Sequence, residues 1–93
     1  MKISEIAIDD VTRYLRIEAG EETFVNSLIS ASKQYLVSYT GQTLEVLDSY
    51  EDLTIVLYIL CAEMYDNRQL TVENDKINPI VKQILTSHSS SNL

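Results

Sequence analysis

An all-α fold, a small bundle of about four helices with short connections, is the architecture this sequence predicts. Three features carry that prediction. Apolar residues between Phe24 and Tyr39 recur in steps of three and four, the period of a helix with one buried face. The segment from Glu51 to Leu70 runs without glycine or proline, far longer than a typical strand of about five or six residues. Asn78-Pro79 pairs an N-cap side chain with proline at the first helical position, where the missing N–H costs nothing.

The first helix is short. Asp9 and Asp10 supply negative charge near its start, and Val11, Tyr14 and Leu15 share one face, although the start can reach back to Ser4. Glu18-Ala19-Gly20 breaks the pattern. The second helix opens with Glu21 and Glu22 in its first turn and presents Phe24, Leu28, Ala31, Tyr35 and Tyr39 as a stripe, widened by Val25, Ile29 and Leu36. Gly41 sits where a residue with positive φ ends a helix, which places the end at Tyr39 or Thr40. Leu44, Val46 and Leu47 predict a short helical turn against the core. Ser49-Tyr50-Glu51-Asp52 has the spacing of an N-terminal capping motif. The third helix spans about Glu51 to Gln69 and is apolar nearly all round from Leu53 to Ala62, so it is buried on most sides. Ile55 to Leu60 alone reads equally well as a buried strand; the length of the uninterrupted segment decides for helix. Thr71 to Ile77 is a polar loop. The last helix starts at Asn78-Pro79 and buries Ile80, Val81, Ile84 and Leu85. Residues 1–88 form one helical domain, and 89–93 form a disordered polar tail that His88 adjoins as a solvated residue.

At 93 residues and 10.6 kDa the chain is a single domain, and domains of this size leave roughly 35–40% of their surface unburied. Hydrophobic content of 45% is too high for a disordered chain. Fourteen acids against seven bases give a net charge of −7, a field that repels phosphate backbones and argues against tight DNA binding. A single cysteine, Cys61, excludes an intramolecular disulfide. The N-terminus lacks a basic and apolar leader pattern, so no secretory signal is visible. The longest apolar run, of about 13 residues, falls short of the ~20 that span a bilayer, and the expectation is a soluble intracellular protein with no membrane partner.

The residue sets of common chemistries are missing. The one histidine, His88, lies beside the serine-rich tail, where a catalytic imidazole has no fixed neighbour. Cys61 sits among apolar residues that do nothing to lower its pKa, so it packs as a small hydrophobe. Asp9-Asp10, Glu21-Glu22 and Glu51-Asp52 each begin a helix, where the dipole explains them. No glycine-rich phosphate loop, Cys-x-x-Cys or His-x-x-x-His occurs. The expectation is no catalytic residue, no metal ligand, no cofactor and no enzyme. What remains is surface for association: six tyrosines bring aromatic area with a polar tip, most of it facing the domain's own core. With two other substantial helices and a short first one as cover, Leu53 to Ala62 leaves two alternatives: complete burial within the domain, or one strip left to meet a neighbouring subunit.

Tyr14-Leu15-Arg16-Ile17, Tyr39-Thr40-Gly41 and Tyr65-Asp66-Asn67-Arg68, followed by a short last helix, resemble in order and spacing the small head-tail connector family of tailed bacteriophages. The resemblance covers about residues 7 to 86. It implies a structural virion protein of head completion and DNA packaging, built as an oligomeric ring under the portal that extends the DNA channel and docks the next component. The partners implied are further copies of the chain in a head-to-tail ring, twelvefold like the portal, the portal protein itself, and the next head-completion or tail protein. DNA passes through without specific binding. The implied location is the head-tail junction of the virion, with assembly in the host cytoplasm.

The resemblance further implies structural roles for Tyr14, Leu15, Arg16, Tyr39, Gly41, Tyr65, Asn67 and Arg68. Arg68 would fix its helix end and the following loop, and Arg16 is either a surface cation or a partner for an acid such as Glu63 or Asp66. Thr71, Val72, Glu73, Asn74, Asp75 and Lys76 form the candidate docking loop, mobile until docking orders it. Thr12 departs from the basic residue common in the family, and the shortness of the loop weakens the case for a contact in the channel. The rival expectation is a small helical regulator or partner binder, helix-turn-helix or antitoxin-like. The second helix is a poor recognition helix, acidic at its start with Lys33 as its one base.

Overall fold

A computed structural model of the chain describes residues 2–18, 20–68 and 78–88. The described residues are helical and contain no strand. A 3-10 turn at Ile3–Glu5 precedes α1 (Ile8–Leu15), α2 (Glu22–Thr40), α3 (Leu44–Leu47), α4 (Asp52–Asn67) and α5 (Pro79–Ser87). The two long helices, α2 and α4, run antiparallel: Glu21 at the start of α2 meets Tyr65 and Arg68 at the end of α4. The shorter α1 and α5 each pack on both of them.

Local chemistry explains where each helix begins and ends. Asp10 accepts a hydrogen bond from the Ala7 N–H at 2.9 Å, closing the first turn of α1 with a carboxylate where donors are otherwise unpaired. The carboxylate of Glu22 accepts from the Gly20 N–H at 3.1 Å at the start of α2. Gly41, at φ 71°, ends α2 and returns its N–H to the Val37 carbonyl, as its position in the sequence predicts. The Thr43 hydroxyl accepts from the Val46 N–H, capping the single turn of α3. Asn78 Oδ1 accepts from the Ile80 N–H at 2.8 Å, and Pro79 follows as the first residue of α5.

Ser49 does not cap α4. Its hydroxyl donates backward to the Val46 carbonyl at 2.6 Å, and α4 starts at Asp52 after a helical Glu51 with no side-chain cap bond. The cause is continuity of backbone turns. The Ser49 N–H donates to the Val46 carbonyl and the Tyr50 N–H to that of Leu47, so Ser49 still belongs to the turn that ends α3 and both its backbone and its hydroxyl are used there.

The core lies between α2 and α4. Val25, Leu28, Ile29 and Leu36 from α2 meet Leu53, Val56, Leu57, Leu60, Cys61 and Met64 from α4, all buried. Val11 of α1, Leu47 of α3 and Val81 and Leu85 of α5 close its edges. Ser32, buried like Thr40, is a polar residue within it, placed 3.4 Å from Cys61 Sγ and 3.8 Å from Met64 Sδ, so its hydroxyl is not stranded. Ile80, expected on the buried face of α5, is 68% exposed. It lies at the side of the narrow stripe that Val81 and Leu85 fill, and a helix of nine residues buries little more than one row.

Candidate functional site

Both arginines of the quoted motifs end a helix in the left-handed conformation. Arg16 has φ 56° after α1 and Arg68 has φ 53° after α4. Among the described residues they are the non-glycine positions with positive φ. A residue with a Cβ pays roughly 1 kcal/mol for that conformation, which is why glycine usually holds it. The backbone return is complete in both cases. Arg16 and Ile17 donate to the carbonyls of Arg13 and Thr12, and Arg68 donates to Met64 and Tyr65.

The two side chains then diverge. Arg68 Nη1 donates to Glu21 Oε1 at 2.9 Å, and the Tyr65 hydroxyl donates to Glu21 Oε2 at 2.8 Å. The guanidinium lies 4.6 Å from the Tyr65 ring centroid and 5.3 Å from that of Phe24, within range of cation–π attraction. The Arg68 hydrogen bond, then that of Tyr65, holds the Glu21 carboxyl below its ordinary range. The same carboxylate raises the Tyr65 phenol. Asn67 Nδ2 donates to the Glu63 carbonyl, tightening the same helix end. Arg68 thus fixes the end of α4, and it does so by reaching the start of α2. Arg16 is exposed and forms no hydrogen bond or ion pair to Glu63 or Asp66. It lines an open depression with Asp9, Thr12, Arg13 and Ile17.

Tyr14 is 46% exposed and stacks on Tyr58 with centroids 4.8 Å apart. Burial, then the charge of Asp10, raises the Tyr58 phenol. Leu15 is half-buried against the core. Tyr39 packs near Tyr35, at 5.9 Å, and its hydroxyl lies 3.3 Å from that of Thr86, joining α2 to α5. The motif residues therefore lie at separate helix joints and converge on no single pocket. The candidate loop at positions 71–76 and the tail at 89–93 lie outside the described residues.

Ile55 is 48% exposed, while Tyr58, Ile59 and Ala62 are half-buried. Spaced three and four apart, they form the outer strip of α4, opposite the row that packs on α2. Tyr14 extends the strip onto α1.

His88 is a correction to the solvated-tail expectation. Its ring stacks on Tyr50 at 4.1 Å, Nε2 lies 2.9 Å from Asp52 Oδ2, and its carbonyl accepts from Gln42 Nε2 at 2.8 Å. It fastens the end of α5 to the start of α4. Glu21 stands at the start of α2 as the sequence places it, but its partners, like those of His88, went unread, since a helix-start acid and a lone histidine before a serine run carry no mark of their distant partners. Cys61 is fully buried, and burial raises its thiol pKa despite the opposing Ser32 hydrogen bond. Among the described residues no three His, Cys, Asp or Glu side chains are grouped to hold a metal ion, and no helix is long and apolar enough to cross a membrane. Comparison with protein families, with curated proteins and with solved structures finds no match.

Proposed function

We propose that this chain is a head-tail connector subunit of a tailed bacteriophage, a non-catalytic virion protein whose copies associate head-to-tail in a ring beneath the portal. The observation that carries the reading is the outer strip of α4. A helix whose apolar residues circle its whole surface has one side, Ile55-Tyr58-Ile59, that its own domain leaves partly uncovered, and apolar surface of this kind marks interaction sites. The motif residues support it from a second direction, because Tyr39, Gly41, Tyr65, Asn67 and Arg68 all fasten helix ends. They build a rigid block, the kind of part that rings are assembled from. An acidic surface suits a channel through which DNA slides without adhering.

The regulator reading gains nothing from the fold. The outward residues of α2 are Thr23, Asn26, Ser30, Gln34 and Ser38, and its one base, Lys33, is half-buried, so phosphates find no cation on that helix. Native mass spectrometry of the full chain, alone and with the portal protein encoded in the same genome, tests the proposal. A closed ring or a portal-bound assembly is the expected result. A chain that forms neither, and binds duplex DNA with a steep salt dependence, overturns it.

A further inference from the structure

We infer that the depression at the end of α1 is a socket for a carboxylate side chain of a second copy of this chain. The inference deepens the connector proposal by naming one side of the copy-to-copy contact, and rests on it. Asp9, Thr12, Arg13, Arg16 and Ile17 line the depression, whose volume of about 550 Å³ admits a side chain from another molecule.

The contrast between the two left-handed arginines carries the argument. Arg68 occupies a glycine-like conformation and uses its guanidinium within the fold, on Glu21, Tyr65 and Phe24. Arg16 occupies the same conformation, and its guanidinium forms no hydrogen bond or ion pair with any described residue. For ending α1, glycine would serve better, as Gly41 does for α2. A strained backbone that holds an unpaired, exposed guanidinium points to a use outside the domain. Arg13 stands beside it on the same helix, 76% exposed, with Nη2 3.3 Å from Asp10 and its other N–H groups unbonded. Thr12 adds a hydroxyl. Asp9 also lines the depression, and its like charge opposes any incoming carboxylate that does not engage Arg16 directly.

A second copy is the occupant these surroundings favour. Tyr14, next to Arg13, continues through Tyr58 into the Ile55-Ile59 strip. Aromatic and aliphatic area bordered by arginine is the make-up of a protein interface, and a nucleic-acid backbone offers nothing to bury against it. A chain with fourteen acids and seven bases presents a surplus of carboxylates to its neighbour. A head-to-tail contact joins two different patches, so the unpaired Arg16 fork of one copy meets a carboxylate of the next.

Sedimentation velocity of the full chain over a concentration series, with thermal unfolding of the same samples, tests the socket. Arg16→Gly relieves the backbone, so the unfolding temperature of the monomer, read at the dilute end of the series, is expected to hold or rise while self-association weakens about tenfold or more. Arg16→Lys keeps the charge without the planar fork and recovers part of the loss. An Arg16→Gly chain that associates like the parent, or whose monomer unfolds at lower temperature than the parent monomer at the dilute end of the series, overturns the inference. A parent chain that stays monomeric yet binds portal overturns the socket and leaves the connector reading standing. Arginine-dependent self-association without portal binding supports the socket and overturns the connector reading.

Discussion

Truncating two residues of α4 that stand two positions apart separates its inner and outer faces. Leu57 is fully buried and Ile55 is 48% exposed. Leu57→Ala removes apolar carbons from water-free surroundings and leaves a cavity, a loss of about 3–4 kcal/mol. Ile55→Ala deletes a similar amount of hydrocarbon. At about 0.8 kcal/mol per buried methylene, half-exposed carbons account for about 1 kcal/mol, and the better helix propensity of alanine returns roughly 0.4 kcal/mol of it. A domain of this size has about 5–14 kcal/mol in total, so the inner truncation consumes a large share and the outer one little. Thermal unfolding followed by circular dichroism, at concentrations where the chain is monomeric, measures both. Their unfolding temperatures are expected to differ by more than about 10 °C, since each kcal/mol moves a domain this size by about 4–8 °C. Equal losses in the monomer would refute the placement of Ile55 on an uncovered face. A loss for Ile55→Ala that grows with protein concentration is the signature of a second copy covering it.

Three further outcomes follow from the joints between helices. Glu21, whose pKa is depressed by Arg68 and Tyr65, stabilises the fold above the ordinary carboxylate value of 4.5 and loses that contribution as pH falls through its lower folded value. Asp48, depressed by the Ser4 hydroxyl, behaves alike, so Glu21→Gln removes one part of the acid sensitivity of thermal melts and leaves the part due to Asp48. Asn78→Ala removes the cap of α5 at a cost of about 1 kcal/mol, read as faster amide exchange in Val81 to Leu85 with α2 and α4 unchanged. Cys61 resists a thiol reagent in the native state and reacts only on unfolding, because burial both shields it and raises its pKa; fast labelling of the folded protein would contradict that placement.

Local patterns were sufficient for most of the helices. The three-and-four spacing of α2, the glycine that ends it and the Asn78-Pro79 start of α5 each act through neighbours in sequence, and each lies where that chemistry puts it. Capping at Ser49 failed for an equally local reason, since Ser49 is taken up by the turn that ends α3. Periodicity also overestimated burial at Ile80, because it identifies apolar positions without knowing how wide a face the partner helices cover.

The sequence by itself determined the all-helical class, the buried row of α2 and the near-continuous apolar girdle of α4. Tertiary structure alone decided which side of that girdle is left uncovered, that Glu21 joins Arg68 across 47 positions, that His88 docks on Tyr50 and Asp52, and that Arg16 finds no acid. The physical reason is range. Helix propensity, caps and dipoles are set within a few residues along the chain, whereas the partner of a charge or an aromatic ring depends on how whole helices are packed.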